Sequence, residues 1–126
     1  VMERFPRLRI AFMEAGCSWV PYWAGRMNEE WEKRGKAEAP LCKKRPSDYI
    51  KSGQVILHAE DYEPFIGATA EYLRPDVLYY ASDWPHWDSE FPENIDHLNK
   101  RKDLSPEAKK WLLADTAKKL YKLDSN

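Results

Sequence analysis

Three short, predominantly apolar runs punctuate the chain at wide intervals. Leu8-Arg9-Ile10-Ala11-Phe12-Met13 follows Pro6 and stops at Ala15-Gly16. Gln54-Val55-Ile56-Leu57-His58-Ala59 follows Gly53, and Val77-Leu78-Tyr79-Tyr80-Ala81 follows Pro75-Asp76. Their length and their glycine and proline boundaries predict strands rather than helices. Between them the apolar period changes to that of a helix. Trp19, Trp23, Met27 and Trp31 recur every four residues and form one stripe, with Ser18 as the expected cap, Pro21 in the first turn and Gly35 as the expected end. A polar loop with the basic patch Lys43-Lys44-Arg45 follows, then a short helical turn over 47–51. Asp61 is the expected cap of a helix with Pro64 in its first turn and Tyr62, Phe65, Ile66, Thr69 and Leu73 on its inner face. Further helices are predicted over about 92–100, from Ser105-Pro106-Glu107 onward, and after a cap at Asp115 through Leu120 and Tyr121. Strands that carry little polar alternation and are separated by helices predict an α/β fold. The sheet is parallel and helix-covered, either doubly wound or closed as a barrel.

Composition adds bounds rather than an activity. The 126 residues are 43% hydrophobic and 13% aromatic, with six Trp, which excludes a disordered tail. A net charge of −1 offers no general attraction to nucleic acid or to an anionic membrane. No apolar run approaches the ~18 residues that span a bilayer, and the first nine residues lack the apolar segment of a secretory signal. Cys17 and Cys42 make no CxxC pair and no disulfide framework, so reduced thiols and a cytoplasmic location are expected. The opening Val1-Met2-Glu3-Arg4-Phe5-Pro6 reads as the interior of a longer polypeptide.

In α/β folds of either kind, chemistry sits just past the carboxyl ends of the strands. Glu14 follows the first run, Glu60 and Asp61 follow the second, and Ser82-Asp83-Trp84-Pro85-His86-Trp87-Asp88 follows the third. Pro85 turns the chain directly after Asp83, which removes an ordinary helix entry there. A carboxylate fixed at a strand tip suits a metal ligand or a proton carrier. Trp84 and Trp87 would wall a pocket, and His86, on the same turn, is a candidate to face substrate. His58 is expected as a satisfied strand-end histidine and His97 as a surface residue of a helix.

These residues carry a resemblance. Phe5-Pro6-x-Leu8-x-Ile10 with Glu14-Ala15-Gly16 and Trp19-Val20-Pro21-Tyr22-Trp23 resembles the sixth strand and helix of the amidohydrolase-related family. That family contains metal-dependent hydrolases and decarboxylases similar to aminocarboxymuconate-semialdehyde decarboxylase. Ala81-Ser82-Asp83-Trp84-Pro85-His86 resembles its eighth-strand motif, and Leu113-Ala114-Asp115-Thr116-Ala117-x-x-Leu120-Tyr121 resembles its C-terminal helix. The resemblance implies a (β/α)8 barrel of which residues 1–126 form one partial unit, the C-terminal portion with strands six to eight. It also implies that Asp83 is a metal ligand or the proton-shuttling carboxylate. Two departures stand out. The family's sixth-strand His-Gly-Gly is Glu14-Ala15-Gly16 here, and a Glu serves as a general base or binds a cation but does not replace a neutral imidazole donor. The family's first-strand His-x-His and fifth-strand His have no counterpart among His58, His86 and His97.

The expectation is therefore the C-terminal part, or a small subunit, of an amidohydrolase-like enzyme that hydrolyses or decarboxylates a small polar or aromatic acid. Asp83 and Glu14 are the candidate catalytic residues, Asp83 also the metal ligand. Glu60, Trp84 and His86 are the candidate substrate contacts. A divalent metal, zinc or else manganese, belongs to the completed barrel, whose N-terminal part is needed for the His-rich metal site, and not to this chain alone. The expected partners are an N-terminal barrel portion or another subunit in an oligomer, and a small-molecule substrate. The alternative is a non-catalytic, barrel-derived subunit acting in protein association.

Overall fold

In the computed structural model, which describes residues 1–123, three strands form one parallel sheet in the order β1-β2-β3. The unit expected over residues 1–126 therefore ends in residues 124–126, outside the described ones. β1 is Ile10–Phe12, β2 Val55–His58 and β3 Leu78–Tyr79. Ile10, Ala11 and Phe12 pair with Val55, Ile56 and Leu57, and Leu57 and His58 pair with Leu78 and Tyr79. All three lie inside the predicted runs and are shorter than them. β1 has a partner on one edge only, so its pairing extends no further than β2 supports.

Between β1 and β2 lie α1 (Val20–Glu38) and α2 (Pro46–Tyr49), and between β2 and β3 lies α3 (Ile66–Leu73). After β3 come α4 (Glu93–Lys100), α5 (Pro106–Lys110) and α6 (Thr116–Tyr121). Val20 and Ala24 of α1, Leu57 and Leu78 of the sheet, Ile66 and Leu73 of α3, Leu98 and Leu112 bury together as one core. Each parallel crossover thus returns the chain with a helix laid on the sheet. Tyr80 N donates to Leu112 O at 2.8 Å, which ties the C-terminal helical stretch to the tip of β3.

Several predicted ends are corrected. Helix α1 begins after Trp19 with no side-chain cap; Ser18 stands one residue before the cap position, and its N–H donates to Glu63. It continues past Gly35, whose role is close packing: a Cβ there would lie 2.7 Å from the Trp31 ring. Asp61 does not cap α3, which starts five residues later after Phe65. Pro64 disfavours helical geometry at Glu63, and that segment instead runs back to the turn after β1. Tyr62 and Phe65 consequently stand outside the helix and exposed, whereas Ile66, Thr69 and Leu73 form the buried face as predicted. Ser105 does cap α5, accepting from Ala108 N at 3.1 Å. Asp115 caps nothing, because the helical path runs on from α5 through a wider turn at Trp111–Asp115 into α6; it pairs with Lys110 at 3.1 Å.

Among the described residues, Trp19, Trp23 and Met27 of the α1 stripe stay largely uncovered, whereas Trp31 is half-buried and donates to Cys42 O at 3.1 Å. Trp19, Trp23 and Met27 join Phe12, Tyr49 and Leu57 around an apolar groove of about 450 Å³ that β1 and β2 both line. Trp23 is 53% exposed. Among the described residues no helix is long and apolar enough to cross a membrane.

Candidate functional site

Parallel pairing brings the carboxyl ends of all three strands to one edge of the sheet, and the residues that follow them meet there. Glu14, Glu60, Asp83 and His86 line one cavity of about 480 Å³. Glu14 and Asp83 both adopt left-handed backbone geometry, with φ of 52° and 53°. That conformation costs roughly 1–2 kcal/mol at a non-glycine residue and persists where the surroundings enforce it. At Glu14 the enforcement is visible: its N–H donates to His58 Nδ1 at 3.2 Å. At Asp83, His86 N donates back to Asp83 O at 2.9 Å and closes the turn.

His58 is fully buried at the tip of β2 and touches the ends of all three strands. Its Nε2 lies 3.1 Å from Ala81 O beyond β3, and its Nδ1 lies 3.0 Å from Glu60 Oε1 as well as meeting Glu14 N. The strand-end histidine is thus satisfied, and it serves as the tie among the three loops.

The electrostatics of the cavity are one-sided. Asp61, Asp88 and Glu90 add three carboxylates to Glu14, Glu60 and Asp83, and no lysine or arginine is among the lining residues. Burial pushes the Glu60 carboxyl above its ordinary range; His58 pulls it down, but Glu63, Asp83 and Asp61 push the same way as burial. His86 Nδ1 sits 2.8 Å from Asp83 Oδ2.

One oxygen each of Glu14 and Asp83 and one nitrogen of His86 lie within 4.8 Å of one another. Two carboxylates and an imidazole fit a divalent ion by type, and three is the number of protein ligands that catalytic zinc takes. A second group with the same spacing consists of Asp61, Glu90 and His97. There His97, exposed on α4, lies 2.7 Å from Asp61. Trp84 is placed apart from the cavity: it is exposed and faces Phe91, with ring centroids 6.4 Å apart, while Trp87 stands on the cavity rim.

Sequence reasoning missed Glu63, a 7% exposed carboxylate directly behind the cavity loops. Its two oxygens accept from Cys17 N, Ser18 N and Glu60 N. Burial alone would push its carboxyl up, but these backbone donors hold it below the ordinary range. The one local signal was Pro64, which keeps the residue before it out of a helix.

The model of the amidohydrolase family matches residues 1–123. Two solved structures are similar in fold. One is 5-carboxyvanillate decarboxylase LigW from Sphingomonas paucimobilis, with a TM-score of 0.78 and 18% identity over 96% of this chain and 36% of that one. The other is amidohydrolase map2389c from Mycobacterium avium subsp. paratuberculosis K-10, with a TM-score of 0.72 and 18% identity over 94% of this chain and 29% of that one. The chain spans about a third of the length of either. No curated protein matches the sequence.

Proposed function

Because the chain belongs to the amidohydrolase family, we propose that it is the C-terminal portion of a (β/α)8 barrel enzyme, with β1, β2 and β3 as the sixth to eighth strands. In this reading one partial unit over 1–126 supplies a wall of the active site. The enzyme hydrolyses or decarboxylates a small polar or aromatic acid. The observation that carries the reading is the meeting of Glu14, Glu60, Asp83 and His86 in one cavity past the carboxyl ends of adjacent parallel strands.

In the completed barrel a divalent ion, zinc or manganese, would be held by Asp83 together with the His-rich site of the N-terminal part, with Glu14 and His86 close enough to join it, and would supply Lewis-acid polarisation. Asp83 is the proton-carrying carboxylate, and His86 Nδ1, 2.8 Å from its Oδ2, orients it. In hydrolysis that oxygen takes the proton of the attacking water; in decarboxylation it gives a proton to the carbon that loses carbon dioxide. Glu14 and Glu60 flank the substrate, and Trp84 and Trp87 lie beyond its outer side. A bare acid substrate would meet repulsion from six carboxylates, so the rest of the barrel or the ion offsets their charge.

The partner of the groove beside β1 is the preceding strand and helix of that barrel. The open edge of β1 asks for a parallel neighbour, and the groove lined by the apolar stripe of α1 includes Phe12 of that strand. The free thiols of Cys17 and Cys42 support a cytoplasmic location. The competing reading, a non-catalytic subunit acting in association, is favoured by that groove and by Glu14 standing where the family has His.

The test is metal analysis and turnover of a panel of aromatic and polar acids by the completed barrel. Near one equivalent of metal and a roughly thousandfold loss of kcat in Asp83→Asn are expected. A barrel that assembles without metal and without turnover would support the competing reading, and full activity in Asp83→Asn would remove the role of Asp83.

A further inference from the structure

We propose that Glu63 is a positioning residue for this site, setting the spacing between the loop that carries Glu14 and the loop that carries Glu60. The inference rests on the reading of the cavity as catalytic. A carboxylate taken out of water is costly unless hydrogen bonds replace its hydration. Here backbone amides from two different loops replace it. Oε1 accepts from Glu60 N at 2.9 Å and Cys17 N at 3.0 Å, and Oε2 from Ser18 N at 2.7 Å and Cys17 N at 2.8 Å. Cys17 and Ser18 precede α1, so the carboxylate also lies at the positive end of a 19-residue helix.

The geometry leaves little slack. Gly16 has φ of 63°, and a Cβ on it would lie 2.8 Å from Glu63 Oε2, so the carboxylate approaches a backbone that only glycine provides. Two residues before Gly16 stands Glu14, fixed in turn by His58 of β2. Two residues after Gly16 stands Ser18, the far end of the same clamp. On the other loop the clamped amide belongs to Glu60 itself. One side chain therefore bridges 45 residues of sequence between Ser18 and itself and sets where both flanking carboxylates stand. Glu63 is not among the cavity-lining residues, which separates its role from theirs.

An amide in place of the carboxylate has one accepting oxygen, and its NH₂ faces a backbone donor. Glu63→Gln should therefore loosen the clamp on both loops while leaving the apolar core intact. The experiment compares the parent barrel with Glu63→Gln and with Gly16→Ala, which displaces the carboxylate without removing it. Misplacement by about 1 Å costs on the order of a hundredfold in rate. Both variants should lose kcat by roughly tenfold to a hundredfold with KM little changed. Amide exchange should rise together over residues 14–18 and 60–63. A purely structural role would lower the melting temperature and leave kcat of the folded fraction unchanged, and that result overturns the proposal. Exchange rising in one loop alone also overturns it. Should the parent turn over none of the acids, the enzymatic reading fails by itself, and the joint or separate exchange of the two loops still decides whether Glu63 sets their spacing. If Glu63→Gln does not fold, Gly16→Ala carries the same two readouts.

Discussion

Asp76 and Asp83 stand at opposite ends of the same strand, and the fold treats them in opposite ways. Asp76, in the turn that enters β3, is 6% exposed and held by Arg74 Nε at 2.6 Å and by Lys119 Nζ at 3.1 Å from α6. Asp83, beyond the other end, faces Glu14 and Glu60 across a cavity lined by no lysine or arginine. Burial would push the Asp76 carboxyl up, but Arg74 and Lys119 hold it below its ordinary range. On the cavity side, burial and the neighbouring carboxylates push Glu60 above it. At the entry end, charge is matched and stability results. At the exit end, like charges are gathered without a lysine or arginine among the lining residues; in the proposed function a ligand matches them, as at the carboxyl-end face of a barrel.

Exchanging the two carboxylates for amides gives the largest contrast. Asp76→Asn should cost about 2 kcal/mol of folding stability, since one partner of a buried pair is removed while the half-exposed Arg74 and Lys119 keep access to water. Its kcat should stay at the parental value. Asp83→Asn should show the reverse, with the rate lost and the melting temperature at or above that of the parent, because one of several repelling carboxylates is gone. Denaturant titration and steady-state kinetics on both variants check this. Equal stability losses at the two positions would erase the distinction between the ends.

Acidification should reveal the same contrast with a smaller effect. A carboxyl whose folded pKa lies below its unfolded value stabilises the fold above the unfolded value, 3.8 for Asp76. That contribution is lost as pH falls through the folded value. Parent and Asp76→Asn should therefore differ most near neutrality and converge at low pH. Glu60 has the opposite sign: its raised pKa favours the folded state at low pH, and the benefit fades as pH rises through the folded value. Replacing Glu60 by Gln should flatten that part of the profile. Urea midpoints measured across the acid range decide both signs.

The legible parts were those whose signal and partner lie close together in the chain. The unalternating runs around Val55 and Leu78 became parallel strands because burial on both faces leaves no room for polar alternation, and the run around Ile10 joined them although Phe12 stays exposed. Ser105-Pro106-Glu107 became a capped helix start, with cap and donor three residues apart. Position past a strand end brought Glu14, Glu60, Asp83 and His86 to one cavity. Trp84 is in the same segment and faces Phe91 instead, because the turn that seats His86 against Asp83 leaves its indole on the outside. Long-range satisfaction was not legible. Glu63 finds its donors at Cys17 and Ser18, and Asp61 finds His97 at a separation of 36 residues, so both read locally as helix-start residues. No spacing rule encodes a backbone amide 45 residues away.

A third group of carboxylates tests whether pairing or burial sets the value of a charge. On the outer face of α1, Glu30 pairs with Arg34, which also reaches Glu38 at 3.2 Å, and Glu29 pairs with Lys33 and Arg26. These pairs have the helical spacing of three or four residues and outnumber the partners of Asp76. Glu29 is held below its ordinary range by Lys33 and Arg26, and Arg34 is raised by Glu30 and Glu38, yet the groups stand in solvent. Water and salt screen such contacts, and ordering two long side chains offsets much of the attraction. Arg34→Ala should therefore shift the melting temperature by about one degree at most, and added salt should remove even that difference. Were Arg34→Ala to match Asp76→Asn, pairing alone would account for the contrast between the strand ends. A small, salt-erased effect instead assigns the contrast to burial, which makes a matched carboxylate stabilising at Asp76 and an unmatched group of them costly around Asp83.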